Sequence, residues 1–323
     1  MSLGKCWCVA AALAVLIGPG DLRAQDIVSI ASLPQSTINF FQASAIAKVV
    51  QQNSNYRMRV QPLRGSSLTL AAVNAGEAEF TLGGSAEMMD AQDGVRDYEG
   101  KPLKNLRIAF NNRPLQLGIF VRKDSGITRI EQLKGKRMPT GWKAFPFAAV
   151  YINATLATAG LTLDDMQSVP VPDIVRAGED FKEGKTDATA FAVGAPAVTE
   201  IASAVGGVRF LSIAEGPGAL DALHKWHRAF YIDTVQPGPR MTGIEAPTRV
   251  VAYDLVLVAG AQVPEDVVYK LVKIVCEQAA ELGKTHASFG DFDTKGMSKT
   301  LPGLAYHPGA IKFYREVGAW PGS

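Results

Sequence analysis

Small hydrogen-bonding residues gather at four places in the 323-residue chain. One stretch spans 32–40 and holds Ser36, Thr37, Asn39 and Phe40. The others are Arg64-Gly65-Ser66-Ser67, Gly83-Gly84-Ser85, and 140–147 with Trp142, Lys143, Phe145 and Phe147. Each falls between a strand-like and a helix-like pattern. The first turn of a helix leaves backbone N–H groups unpaired, and these attract anions. Arg64, Arg113 and Lys143 are the available charge partners, and an arginine can hold a carboxylate through two parallel bonds. For any single loop, helix capping by Ser66 or Ser85 is explanation enough. Together at one edge, such loops point to an anion-binding cleft. Trp142, Phe145 and Phe147 either face the apolar body of a ligand or pack beneath their own loop.

Catalytic patterns are missing. His224 and His227 stand three apart beside Trp226, without the cysteines or paired carboxylates of a metal site. The sequence contains no Gly-x-Ser-x-Gly elbow, no phosphate-binding Gly-x-x-x-x-Gly-Lys loop and no dinucleotide glycine fingerprint after a strand. Asp164-Asp165 opens a helix-like turn, where capping accounts for both. No nucleophile or tuned acid and base stands out, so the chain is not read as an enzyme.

Composition narrows the classes further. Apolar residues make up 47% and charged residues 20%, which excludes a disordered chain. Lys plus Arg number 33 against 31 Asp plus Glu, so no broad basic face for nucleic acid is expected. Lys5 precedes an uncharged run over 6–17, breakers at Gly18-Pro19-Gly20, and a small residue at Ala24. That is the pattern of a cleavable signal peptide over 1–24, too short an apolar run to span a bilayer. Cleavage would remove Cys6 and Cys8 and leave Cys276, so no intrachain disulfide is expected and export to the periplasm is.

The elements that must position these loops alternate. Strands are expected at 26–31, 56–62, 78–82, 136–139, 188–193, 208–213 and 248–258. Helices are expected at 39–52, 66–74, from 85, and at 147–159, 173–183, 196–205, 264–282 and 308–317. The apolar stretch 106–121, broken at Asn112-Arg113-Pro114, reads as two strands. The result is an α/β chain of two lobes. Residues 25–117 and 246–323 form lobe I, and 118–245 form an inserted lobe II.

Ordered short motifs run through nearly all of the chain after residue 24. They are Gly65-Ser66, 74–80, Gly94, 121–127, 133–137, 159–161, 184–188, Pro247-Thr248, His307-Pro308-Gly309-Ala310 and 314–318. In this order they resemble the TAXI family of solute receptors for tripartite ATP-independent periplasmic (TRAP) transporters. The resemblance implies a type II periplasmic binding protein fold, two lobes closing over one small ligand. It implies an organic acid anion as ligand, a TRAP membrane permease as partner, and a receptor that needs no cofactor and no metal. Departures bear on the ligand. Where the family's fourth loop supplies hydroxyls, this chain has Gly141-Trp142-Lys143-Ala144-Phe145-Pro146-Phe147, and Pro146 lacks an N–H. The expected ligand is thus a carboxylate with a sizeable apolar or aromatic body. A receptor for an ATP-driven (ABC) importer, a ligand sensor, and an enzyme on the same fold are the alternatives.

Overall fold

The computed structural model describes residues 26–35, 37–286, 289 and 292–321. The expected leader over 1–24 and Ser36 lie outside these residues. Three parallel strands open the fold: β1 (Ile27–Ser32), β2 (Arg57–Pro62) and β3 (Phe80–Gly84). The helices between them are α1 (Ile38–Gln52) and α2 (Ser66–Ala75), and α3 (Ser85–Asp93) follows β3 directly. Thr37 caps α1 by accepting the Phe40 N–H. Gly76 ends α2 and Gly94 ends α3, both in the left-handed region that a side chain disfavours.

Two long strands organise the rest, β4 (Leu106–Arg122) and β10 (Thr248–Gly260). Between them come β5 (Arg137–Gly141), α4 (Phe147–Ala157), β6 (Gln167–Val171), α5 (Ile174–Lys182), β7 (Ala188–Ala192), α6 (Pro196–Val205), β8 (Val208–Phe210), α7 (Ala219–His224) and β9 (Tyr231–Val235). After β10 follow α8 (Glu265–Glu277), α9 (Ala279–Thr285) and α10 (Pro308–Glu316). The main sheet has eight strands in the order β2-β1-β3-β10-β4-β7, with β8 also on β4 and β9 also on β10. β5 and β6 form a separate parallel pair. None of the described helices is long and apolar enough to cross a membrane.

The break expected at Asn112-Arg113-Pro114 does not occur; β4 is one strand through it. The antiparallel register with β10 shifts between Leu255 and Val256, so Asn112 is the extra residue of a bulge. Pro114 stays in register with Asp254, on a part of β4 that has no described partner strand on its other side, an edge position where a missing N–H is tolerated. The single helix expected over 264–282 is two, α8 and α9, separated at Gln278.

The apolar core is divided. Phe80, Phe110, Leu255 to Ala259 and the faces of α1, α8 and α10 belong to one buried cluster. Leu117, Ile119, Tyr151, Val251 and Tyr253 belong to a second, and Phe120, Phe191 and Phe210 to a third beside it. Both long strands therefore pass from one lobe to the other. The handover falls between Phe110 and Leu117 on β4 and between Tyr253 and Leu255 on β10.

Candidate functional site

The seam between the lobes holds two cavities that share Ile38. The inner one, about 60 Å³, is bounded by the strand-end loops of lobe I and the facing surface of lobe II. Leu33, Leu82 and Leu255 meet Leu117, Phe145 and Phe191 there. The lobes are in contact around it. A Cβ on Gly65 would lie 1.5 Å from the Ala144 carbonyl oxygen.

The residues expected at the site fall into distinct places. Thr37, Asn39, Ser66, Gly84 and Phe145 line the inner compartment. Asn39 is a brace as well. Its Nδ2 donates to the Leu82 carbonyl (2.7 Å) and its Oδ1 accepts the Leu33 N–H (2.9 Å). Ser85, the first residue of α3, is buried, Ser67 is half-buried, and Phe40 packs edge-on against Phe41. Trp142 and Phe147 are buried in the lobe II core, Phe147 edge-on to His227, Phe230 and Tyr253. Arg64 and Lys143 are exposed and line neither cavity.

Two side chains at the inner compartment escaped the sequence reading, Glu87 on α3 and Tyr253 on β10. Glu87 is 4% exposed. Its Oε2 accepts the Tyr253 hydroxyl at 3.2 Å, while Oε1 makes no hydrogen bond. Burial pushes its pKa up to about 7, and nearby Asp90 adds to the rise; the Ser66 and Tyr253 hydroxyls oppose it. Gly84 permits this arrangement, because a Cβ there would stand 2.2 Å from both the Tyr253 ring and Glu87 Oε2. The available signal was a carboxylate three residues after a strand-ending glycine pair, inside an otherwise apolar helix start.

From Glu87 the polar contacts lead across the seam. Asp90 is buried, and its Oδ1 meets His227 Nε2 at 3.3 Å and the Arg96 guanidinium. His227 Nδ1 accepts the Ala229 N–H, so the ring proton is assigned to Nε2, facing Asp90. Arg96 also donates to the Trp226 carbonyl (2.7 Å). Thus α3 of lobe I is tied to segment 226–229, whose Trp226 packs on the lobe II core.

The outer compartment is larger, about 730 Å³. Arg113 on β4 and Arg240 in the connector after β9 give it a cationic character, His286 after α9 stands beside them, and Glu200 is the acidic group on its wall among the described residues. Desolvation and the charges of Arg113 and Arg240 hold the His286 pKa below its ordinary value, which places all three groups in one field. Gln116, Thr199 and Thr242 add hydrogen-bonding groups. Sequence reasoning found Arg113 but not Arg240 or His286, which lie far apart in the chain. Among the described residues no group of three or more His, Cys, Asp or Glu is arranged to hold a metal ion.

An α/β sheet curled through two cores, with a cleft at the strand ends between them, is the architecture of periplasmic substrate-binding proteins. A structure described as a periplasmic transporter matches with a TM-score of 0.58 at 15% identity, over 92% of this chain and 94% of that one. A structure from Bordetella bronchiseptica RB50 matches at 0.51 and 16%, over 92% and 90%. These likenesses show the fold. A family model described as NMT1-like matches residues 30–318. The chain belongs to the NMT1-like family.

Proposed function

We propose that this protein is a periplasmic receptor that captures an organic acid with an apolar body between its lobes and delivers it to a TRAP-type membrane permease. The observation that carries this reading is the pairing of the two compartments. A crevice bearing Arg113, Arg240 and His286 adjoins an inner compartment half of whose lining residues are Leu, Ile or Phe. A carboxylate anchors at the arginines and its apolar part lies inward, over Ile38. Contact with both lobes at once stabilises the closed form, which is the physical basis of capture by hinge closure. The ordered motifs shared with TAXI receptors support the permease assignment.

The test is isothermal titration with hexanoate, benzoate, succinate and glutamate. Hexanoate or benzoate should bind most tightly, and the double variant Arg113→Gln/Arg240→Gln should lose at least tenfold in affinity. Binding of glutamate or succinate alone, or an unchanged affinity in the double variant, would overturn the reading.

A further inference from the structure

The inner compartment holds a polar group that an apolar ligand body leaves without a partner. Glu87 Oε1 is buried, makes no hydrogen bond, and belongs to a residue lining the cavity. Among the described residues no Lys or Arg lines that compartment. A buried acceptor left unsatisfied carries the full cost of its lost hydration, and more when charged. A ligand ending in a methyl group would lock that cost in by excluding water. A ligand ending in a donor would remove it.

We infer that Glu87 is a specificity-determining residue: the inner compartment takes an aliphatic chain whose deep end carries a hydrogen-bond donor, received by Glu87 Oε1. The Tyr253 hydroxyl holds the other carboxyl oxygen and fixes the direction of the free one. The cavity volume of about 60 Å³ suits a short segment, since one water needs on the order of 10–15 Å³ by the same measure. The inference rests on the cleft being an acid site with its carboxylate end at Arg113 and Arg240. The donor is a hydroxyl or an ammonium, and pH separates the two. The groups facing Glu87 are the Ser66 hydroxyl on α2 and the Gly84 backbone, which act on its carboxyl without a hydrogen bond to Oε1, Asp90 on its own helix, Tyr253 on β10, Tyr151 on α4 and Tyr98 in the turn after α3. His227 and Arg96 reach it through Asp90. All three tyrosines have pKa values raised by burial and stay neutral. An ammonium pairs with the ionised carboxylate, so its affinity rises as the pH passes upward through about 7.

The experiment titrates the full chain with butyrate, pentanoate and hexanoate, and with the ω-hydroxy and ω-amino acid of each backbone length. In at least one triplet the hydroxyl- or ammonium-terminated acid should bind about tenfold more tightly than the methyl-terminated one. Glu87→Met should abolish that preference, and Glu87→Gln should abolish it for the ammonium only. The wild-type ranking stands alone should either variant fold poorly. Methyl-terminated acids binding as well as the others would overturn the role of Glu87 and leave the receptor reading intact. Failure of all nine acids to bind would overturn the acid site itself and this inference with it.

Discussion

Glu87 couples the cleft to pH through the free energy of the whole fold. Its carboxyl titrates near 7 in the folded chain and at an ordinary value, near 4.5, when unfolded. The folded state therefore holds the proton more tightly. Stability from this group is fully present below about 4.5 and is lost as the pH rises to about 7, because the unfolded chain gains freedom to ionise first. A difference of this size corresponds to stability on the order of 3 kcal/mol. Glu87→Gln keeps the volume and removes the charge. Its stability relative to wild type, measured by urea unfolding between pH 4 and 8, should grow with pH and level off above 7. A parallel pair of curves would show that Glu87 does not titrate in the fold. Such a carboxyl could not be recognised in the sequence. Asp, Glu and Ser at a helix start read as caps, and it is elements distant in the chain, among them β10 with Tyr253 and α2 with Ser66, that make Glu87 a buried group. The three aromatics of 142–147 are similar. Their types fitted both a ligand face and a core; all three belong to the lobe II core, and Phe145 also lines the cavity.

At the level of elements, local signals carried well where one residue type answers one backbone demand. His307-Pro308-Gly309 is such a case. His307 caps α10 by accepting the Gly309 N–H, and Pro308 occupies the first helical position, where its missing donor costs nothing. Gly309 lets α10 lie against the start of α8, since a Cβ would stand 2.2 Å from the Glu265 carbonyl oxygen. Gly309→Ala should therefore separate α10 from α8 and lower stability by about 1–3 kcal/mol, read as a lower urea midpoint with unchanged slope. An unchanged midpoint would mean that the helices repack at no cost. The long strands were less legible for the opposite reason. Asn112-Arg113-Pro114 has the composition of a turn, and only pairing with β10, with Asn112 bulged, keeps the chain extended. That same bulge turns the strand from one core to the other beside Arg113. The feature misread as a break is thus the one that sets a cation at the seam.

Over the whole molecule, capture requires that closure be close to balanced, so that a ligand's contacts decide it. The structure is closed to the point of backbone contact. Gly65, just before α2 in lobe I, faces the Ala144 carbonyl in the loop before α4 of lobe II, with no room for a methyl group. The side-chain tie from α3 to segment 226–229 closes a second place on the seam. Gly65 has extended backbone angles that any residue adopts, so a side chain there does not strain its own lobe. Gly65→Val should leave each core intact and act as a wedge. The obstacle is a backbone oxygen, which cannot swing aside as a long side chain can, so relief comes from parting the lobes. Small-angle scattering of the unliganded variant should show a larger radius of gyration than wild type, while circular dichroism stays the same. Apparent affinity for any acid that binds wild type should fall in proportion to the closed population removed. An unchanged radius together with unchanged affinity would mean that the 141–146 loop yields instead, and that closure does not depend on this contact.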